Sequence, residues 1–186
     1  MYKNILISGI LIISLLSLSG CVEEDQQIHI KNVDLSTVAL TLDQFNETFE
    51  EYDTDHITEP YIVQEGLVFS GWKILEKYES RFSTDDVTFI IQQIARHSSE
   101  ENASRFIDEL HARDIGYDFS KFNSDEIGNA SYIAVSNTTI LGSTQTLYLI
   151  SFHIDSVAVV LVSSNITYEN ILDLARMIED NLSNYL

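Results

Sequence analysis

Apolar positions recur along the chain with periods that change from stretch to stretch, and those periods predict its elements. In VALTLDQF, Val38, Leu40 and Leu42 alternate with smaller residues, which predicts a short strand. The following NETFEEYDTDHITEPY is acidic and punctuated, and reads as a loop with at most one helical turn. WKILEKYESRF sets Trp72, Ile74, Tyr78 and Phe82 on one side and Lys73, Lys77, Glu79 and Arg81 on the other, a half-exposed strand. DDVTFIIQQIARH is ambiguous: Val87, Ile90, Ile91, Ile94 and Ala95 have helical spacing, yet the run is dense in β-formers. Strand is favoured, because it completes a hairpin through ESRFSTDDVTF.

SSEENASRFIDELHARD is the strongest helix, with Ser98 and Glu101 as a capping box and Ala103, Phe106, Ile107 and Leu110 as one apolar stripe. IGYDFSKFNSDEIGNA then leads into a strand at SYIAVSNTTI. TQTLYLISFHI and SVAVVLVSS are apolar on both faces and joined tightly at Asp155 and Ser156, so they belong mid-sheet with both faces covered. TYENILDLARMIEDNL begins at a Thr167 cap and buries Ile171, Leu174, Ala175, Ile178 and Leu182. The sum is an α+β fold: an antiparallel sheet of five or six strands with two main helices packed on it.

The first 32 residues have a different pattern. Met1 to Asn4 carries one lysine, and Ile5 to Leu18 is apolar apart from three serines and a glycine. That is the layout of a secretory signal, and it is short of the about 20 residues a membrane span needs. Leu18-Ser19-Gly20-Cys21 follows and resembles the lipobox of prokaryotic lipoproteins, in which the cysteine thiol is lipidated and becomes the first mature residue. Small residues at Ser19 and Gly20 let an extended chain enter a peptidase cleft. The alternative is an uncleaved N-terminal anchor helix containing Cys21. An internal disulfide is excluded, since the chain has one cysteine. Residues 1–20 thus read as a lipoprotein signal peptide and 21–32 as the lipidated cysteine with a polar tether. Residues 33–186 read as a single extracytoplasmic domain held on the cell membrane through its lipid.

Charge narrows the classes of partner. Lys3 is the only charged residue of the leader, so the remainder carries 9 basic and 29 acidic side chains, a net charge of −20. Nucleic acid is excluded as a partner on that balance, and so is a basic patch for anionic lipid headgroups. Sequons at Asn46, Asn102, Asn129, Asn137, Asn165 and Asn181 exceed the chance expectation and mark a glycosylated exterior surface. Asn102 falls within the best helix, which leaves Asn46, Asn129, Asn137 and Asn165 among the favoured acceptors.

Motifs for catalysis are sparse. Of the five histidines, His29, His56, His97, His111 and His153, none stands four residues from another, so no H-E-x-x-H site is present. Asp55, His56 and Glu59 lie close together as a candidate metal set, read alternatively as a solvated acidic loop. Glu50 to Asp55 offers carboxylates for calcium but lacks the glycine and spacing of an EF-hand. No G-x-S-x-G elbow or phosphate-cradling glycine loop occurs. Asp85 and Asp86 read as turn or capping residues. Trp72 and Tyr78 are candidates for an aromatic ligand groove, with core packing as the plainer alternative. The expectation is a non-catalytic binding or accessory domain with no cofactor and no metal, its partner a protein or small ligand outside the cell. A sensor or assembly factor of a membrane complex is the second reading. An extracytoplasmic hydrolase is the third, and it requires two or more of His56, His97, His111 and His153 to meet acids in a cleft.

The succession of a strand opening near a tryptophan, SSEENASRF, IGNAS, the hairpin LYLISFHIDSVAVVLV and a C-terminal helix resembles a group of prokaryotic, archaeal-type extracytoplasmic lipoprotein domains. These are broadly similar to PsbP/Mog1-like α+β sandwiches, and the resemblance covers about Thr37 to Leu182. It implies a binding or accessory role. This chain has Asn129 where the group commonly has aspartate, and HIDS where a basic residue and a Gly-Asn turn are frequent.

Overall fold

The strand Val157–Ser164 is buried at every one of its eight positions, and the fold is built outward from it. The computed structural model describes residues 33–45, 49–62, 72–85, 87–112, 118–123 and 126–185; the leader, Cys21 and Asn46 lie outside them. Strands β1 (Glu50–Ile57), β4 (Glu76–Ser83), β5 (Phe89–Arg96), β6 (Ser120–Asn123), β7 (Ala130–Ile140), β8 (Ser143–Ile154) and β9 (Val157–Ser164) form one sheet in the order β1-β4-β5-β9-β8-β7-β6. Every pairing in it is antiparallel. β2 (Tyr61–Ile62) and β3 (Lys73–Ile74) make a separate two-stranded ribbon. Helices α1 (Glu100–Ala112) and α2 (Tyr168–Ser183) complete an α+β fold. Among the described residues no helix is long and apolar enough to cross a membrane.

The central strands are apolar on both faces because each face has its own helix. Val157, Val159 and Leu161 join Phe82, Ile90, Ile94, Ile150 and Phe152 in the core under α2. Ala158, Val160 and Val162 join Ala95, Ala134 and Leu149 under Phe106, Ile107 and Leu110 of α1. This alternation follows from the two-residue period of a strand. The Thr167 hydroxyl accepts from the Asn170 amide at 3.3 Å and caps α2 as the sequence predicts. In α1 the cap is one residue later than expected: Ser99, not Ser98, accepts from the Asn102 amide at 3.2 Å. The Ser98 hydroxyl instead receives the Asn102 side-chain amide.

Seven strands replace the expected five or six. β1 and β6 are the additions, and neither carries an apolar alternation: β1 reads EEYDTDHI and is exposed at all but its last residue. A charged edge of this kind discourages pairing with another chain. β1 also overturns the loop expected at these positions. The β4–β5 hairpin forms as expected, but its first strand breaks at Leu75, whose amide donates to the Arg96 carbonyl at 2.8 Å. The break exchanges the faces. Trp72 and Ile74 belong to the α1 core, whereas Tyr78 and Phe82 belong to the α2 core, so they do not share one side.

The strand expected at Val38 to Leu42 is absent. Leu35–Thr37 and Leu42–Gln44 are 3₁₀ turns, although Val38 and Leu40 are buried. The segment lies over the α2 face beside β4 and β5, and side chains satisfy its backbone. Gln92 accepts from the Leu40 amide at 2.9 Å and donates to the Leu40 carbonyl at 2.9 Å, as a neighbouring strand would, and also donates to the Ser80 hydroxyl at 2.6 Å. Asn181 of α2 donates to the Val38 carbonyl at 3.2 Å. Arg96 donates to the Val33 carbonyl, and the Leu35 amide donates to Glu76 at 3.1 Å.

Replacing Gln92 with leucine strands both polar groups of a buried peptide. At 1–3 kcal/mol for each unsatisfied group, Gln92→Leu is expected to lose about 3 kcal/mol in equilibrium urea unfolding. The segment 33–45 should also become the first site of limited proteolysis.

Candidate functional site

One end of the sheet gathers the titratable side chains. There β5 ends at Arg96, β4 begins at Glu76, β8 ends with His153 and Ile154, and β7 begins at Ala130, as the register places them. Consecutive residues of an extended strand point to opposite faces, and two polar clusters occupy this end, one on each face.

On the α2 face, Glu76 is the hub. Its Oε2 accepts from the Arg96 guanidinium at 3.1 and 3.0 Å, and its Oε1 accepts from the Leu35 amide. The same Oε1 stands 3.0 Å from His56 Nε2, and Asp34 Oδ1 lies 3.7 Å from that nitrogen. Asp34 caps the first 3₁₀ turn, accepting from the Ser36 amide at 2.9 Å and hydroxyl at 2.6 Å. The Ser36 hydroxyl and amide together hold the Asp34 carboxyl below its ordinary range. Three groups able to ligate a cation thus converge from three separate segments.

On the α1 face lies an open cleft of about 500 Å³, lined by Glu100, Glu101, Ser104, Arg105, Asp108, Asn129 and His153. The IGNAS loop sets its wall. Gly128 has φ +63°, and a Cβ there would meet the His153 carbonyl at 2.5 Å, so only glycine permits this approach. The Asn129 amide then donates to the His153 carbonyl at 2.9 Å, and its side chain donates to Glu100 at 3.1 Å. Behind His153, His97 is packed among rings, with Phe106 stacked at 5.3 Å and Trp72 edge-on at 5.6 Å. Arg105 lies over Trp72 at 5.5 Å. Burial, reinforced by the neighbouring His153, lowers the His97 pKa to about 4, so the ring is neutral at neutral pH.

The residues singled out from sequence sort as follows. His56 does not meet Asp55 and Glu59, because β1 sends Asp55 to the other face, where it pairs with Lys77 at 3.1 Å. The distant Asp34 and Glu76 take their place, which no local motif signals. Glu50 to Asp55 lie on a strand, with Asp53 3.6 Å from Arg81, and form no calcium loop. Trp72 and Tyr78 sit on opposite faces, so the aromatic groove between them is not formed. Asp85 is a turn residue, accepting from the Val87 and Thr88 amides at 2.8 and 2.7 Å; Asp86 lies outside the described residues. Among the sequons, Asn129, Asn137 and Asn165 are exposed. The amide of Asn181 is engaged by Val38 in a half-buried position.

Of the histidines set for the hydrolase reading, His97 and His153 are neighbours, and His153 shares the cleft with Glu100, Glu101 and Asp108. His56 lies on the other face.

The fold is similar to that in the crystal structure of the extracellular domain of PknH from Mycobacterium tuberculosis. The TM-score is 0.50 at 7% identity, covering 80% of this chain and 94% of that one. At that identity the likeness is one of fold. No protein-family model matches the chain, and no curated protein matches it.

His97 gives a pH dependence with a defined sign. The unfolded chain takes up this proton near pH 6.5, whereas the folded chain resists it until about pH 4. Stability therefore falls as pH drops through that window. Between pH 7 and 4.5 the native protein is expected to lose about 2.5 kcal/mol more than His97→Gln, measured by urea unfolding at each pH.

Proposed function

We propose that this chain is a lipid-anchored extracytoplasmic binding domain, related to the prokaryotic lipoprotein domains that its motifs resemble, which presents its acidic cleft to a partner close to the membrane. The observation carrying this reading is geometric: Val33 and Leu35 are clamped at the same end of the sheet as the cleft. A tether from Cys21 to Asn32 reaches at most roughly 40 Å when fully extended, so an anchor at Cys21 keeps the cleft near the bilayer. The signal-like leader and the lipobox support the anchor. The neighbour of similar fold is itself an extracellular domain.

Glu100, Glu101 and Asp108 line the cleft from the same helix as Arg105, and this excess of carboxylates suits a partner that presents lysine, arginine or another cation. The role is that of a binding or accessory subunit, including the sensor of a larger membrane complex. A second reading rests on His153, which stands among those acids as a general base would in an extracytoplasmic hydrolase.

Two measurements test the proposal. Cys21→Ser is expected to abolish lipid labelling and leave the domain folded; continued label in that variant defeats the anchor. Charge reversal at Glu101 and Asp108 is expected to release the partner that co-purifies with the native protein from detergent-solubilised membranes, while His153→Ala retains it. Retention after charge reversal removes the cleft as the contact surface.

A further inference from the structure

We infer that Asp34, His56 and Glu76 form a binding site for a divalent zinc-class cation that fastens the start of the domain to its edge strand. His56 Nε2 is 3.0 Å from Glu76 Oε1 and 3.7 Å from Asp34 Oδ1, and one ligating atom from each of the three lies within 4.8 Å of the others. Zinc bonds to nitrogen and oxygen of about 2.0–2.2 Å give tetrahedral edges of about 3.3–3.6 Å. The two edges from His56 bracket that range, and the third, between the carboxylates, is within 4.8 Å, so a cation enters by drawing the exposed Asp34 carboxylate inward.

The donor set selects the class of metal. An imidazole nitrogen with two carboxylate oxygens suits zinc and its neighbours, whereas calcium requires six or more oxygens. Side-chain exposure of 56% at Asp34 and 25% at His56 leaves the fourth position open to water. Glu76 is prepared as a ligand, because Arg96 and the Leu35 amide fix its orientation from behind. The Arg96 charge also offsets one carboxylate, which holds the affinity to the moderate range.

The β1–β4 ladder already joins the strands of His56 and Glu76, so what the ion adds is a link from that edge to the segment bearing Asp34. Asp34 starts the segment over the α2 face, His56 is near the end of β1, and Glu76 opens β4. Without metal, His56 Nε2 is at hydrogen-bond distance from Glu76 alone, with Asp34 Oδ1 3.7 Å away. With metal, one ion joins all three, and folding and binding become linked.

The test uses the full-length chain purified in detergent and stripped with chelator. Titration with zinc chloride is expected to show one site, and the thermal midpoint should rise by several degrees relative to chelator. His56→Ala, and Asp34→Asn, which keeps the oxygen that caps Ser36, should each weaken binding at least tenfold and remove the thermal shift. His153→Ala should leave both intact. Cobalt loaded into the same site should show the visible absorption of a four-coordinate ion, absent in His56→Ala. The inference is overturned if the native chain takes up no stoichiometric zinc. It is equally overturned if His56→Ala binds as tightly as the native chain, or if His153→Ala is the variant that loses the site.

Discussion

The peptide of Leu40 is where the structure is most constrained. A segment without regular structure covers the α2 face of the sheet, burying Val33, Leu35, Val38, Ala39 and Leu40, and buried backbone must find partners. Among the described residues no strand pairs with it to supply a ladder. Gln92 does so with one side chain, accepting and donating to the same residue, while Arg96, Glu76 and Asn181 meet the neighbouring groups. If these bonds fail, the sheet loses the cover over Phe82, Ile90 and Ile94, which are all but fully buried. A few polar side chains thus hold an apolar lid in register.

The same feature explains what the sequence conceals. The alternation of Val38, Leu40 and Leu42 is real, yet it serves a coil, because the partner for its backbone sits on Gln92, 52 residues away. β1 is the converse: a strand without apolar alternation, held by its pairing to β4 and not by burial. β8, β9 and α2 are legible, since both faces of the strands and one stripe of the helix are buried and apolar residues have to mark them. The cleft and the cluster at Glu76 are barely legible. His56 and Glu76 come together through sheet register and Asp34 through the segment that covers the sheet, while Asp55, the acid next to His56 in sequence, pairs instead with Lys77.

Charge placement on the first two strands follows from that register. Asp53 faces Arg81 directly across the β1–β4 pair, but Asp55 faces Glu79, a like-charge pairing that destabilises on its own. Lys77 resolves it by placing Nζ 3.1 Å from Asp55 and 3.0 Å from Glu79. Glu79 is buried, which would raise its carboxyl, yet donors on Lys77, Arg81 and Gln93 together hold it below the usual range. Two of the ten basic residues of this acidic chain, Lys77 and Arg81, are committed here, to an edge that would otherwise repel itself.

Arg96 and His97 follow each other at the end of β5 and turn to opposite faces. Arg96 grips Glu76 and Val33, and thereby the start of the domain; His97 underlies the cleft against Phe106 and Trp72. Their backbone is fixed from both sides, by the Leu75 amide on the Arg96 carbonyl and by the His97 amide on the Ser156 carbonyl, each at 2.8 Å. Arg96 is one of four side chains, with Glu76, Gln92 and Asn181, that hold the segment bearing Asp34, and its neighbour in sequence packs on the opposite face. The Glu76 cluster and the cleft lined by His153 therefore lie on opposite faces of one end of the sheet, backed by two successive residues whose peptide is hydrogen-bonded on both sides.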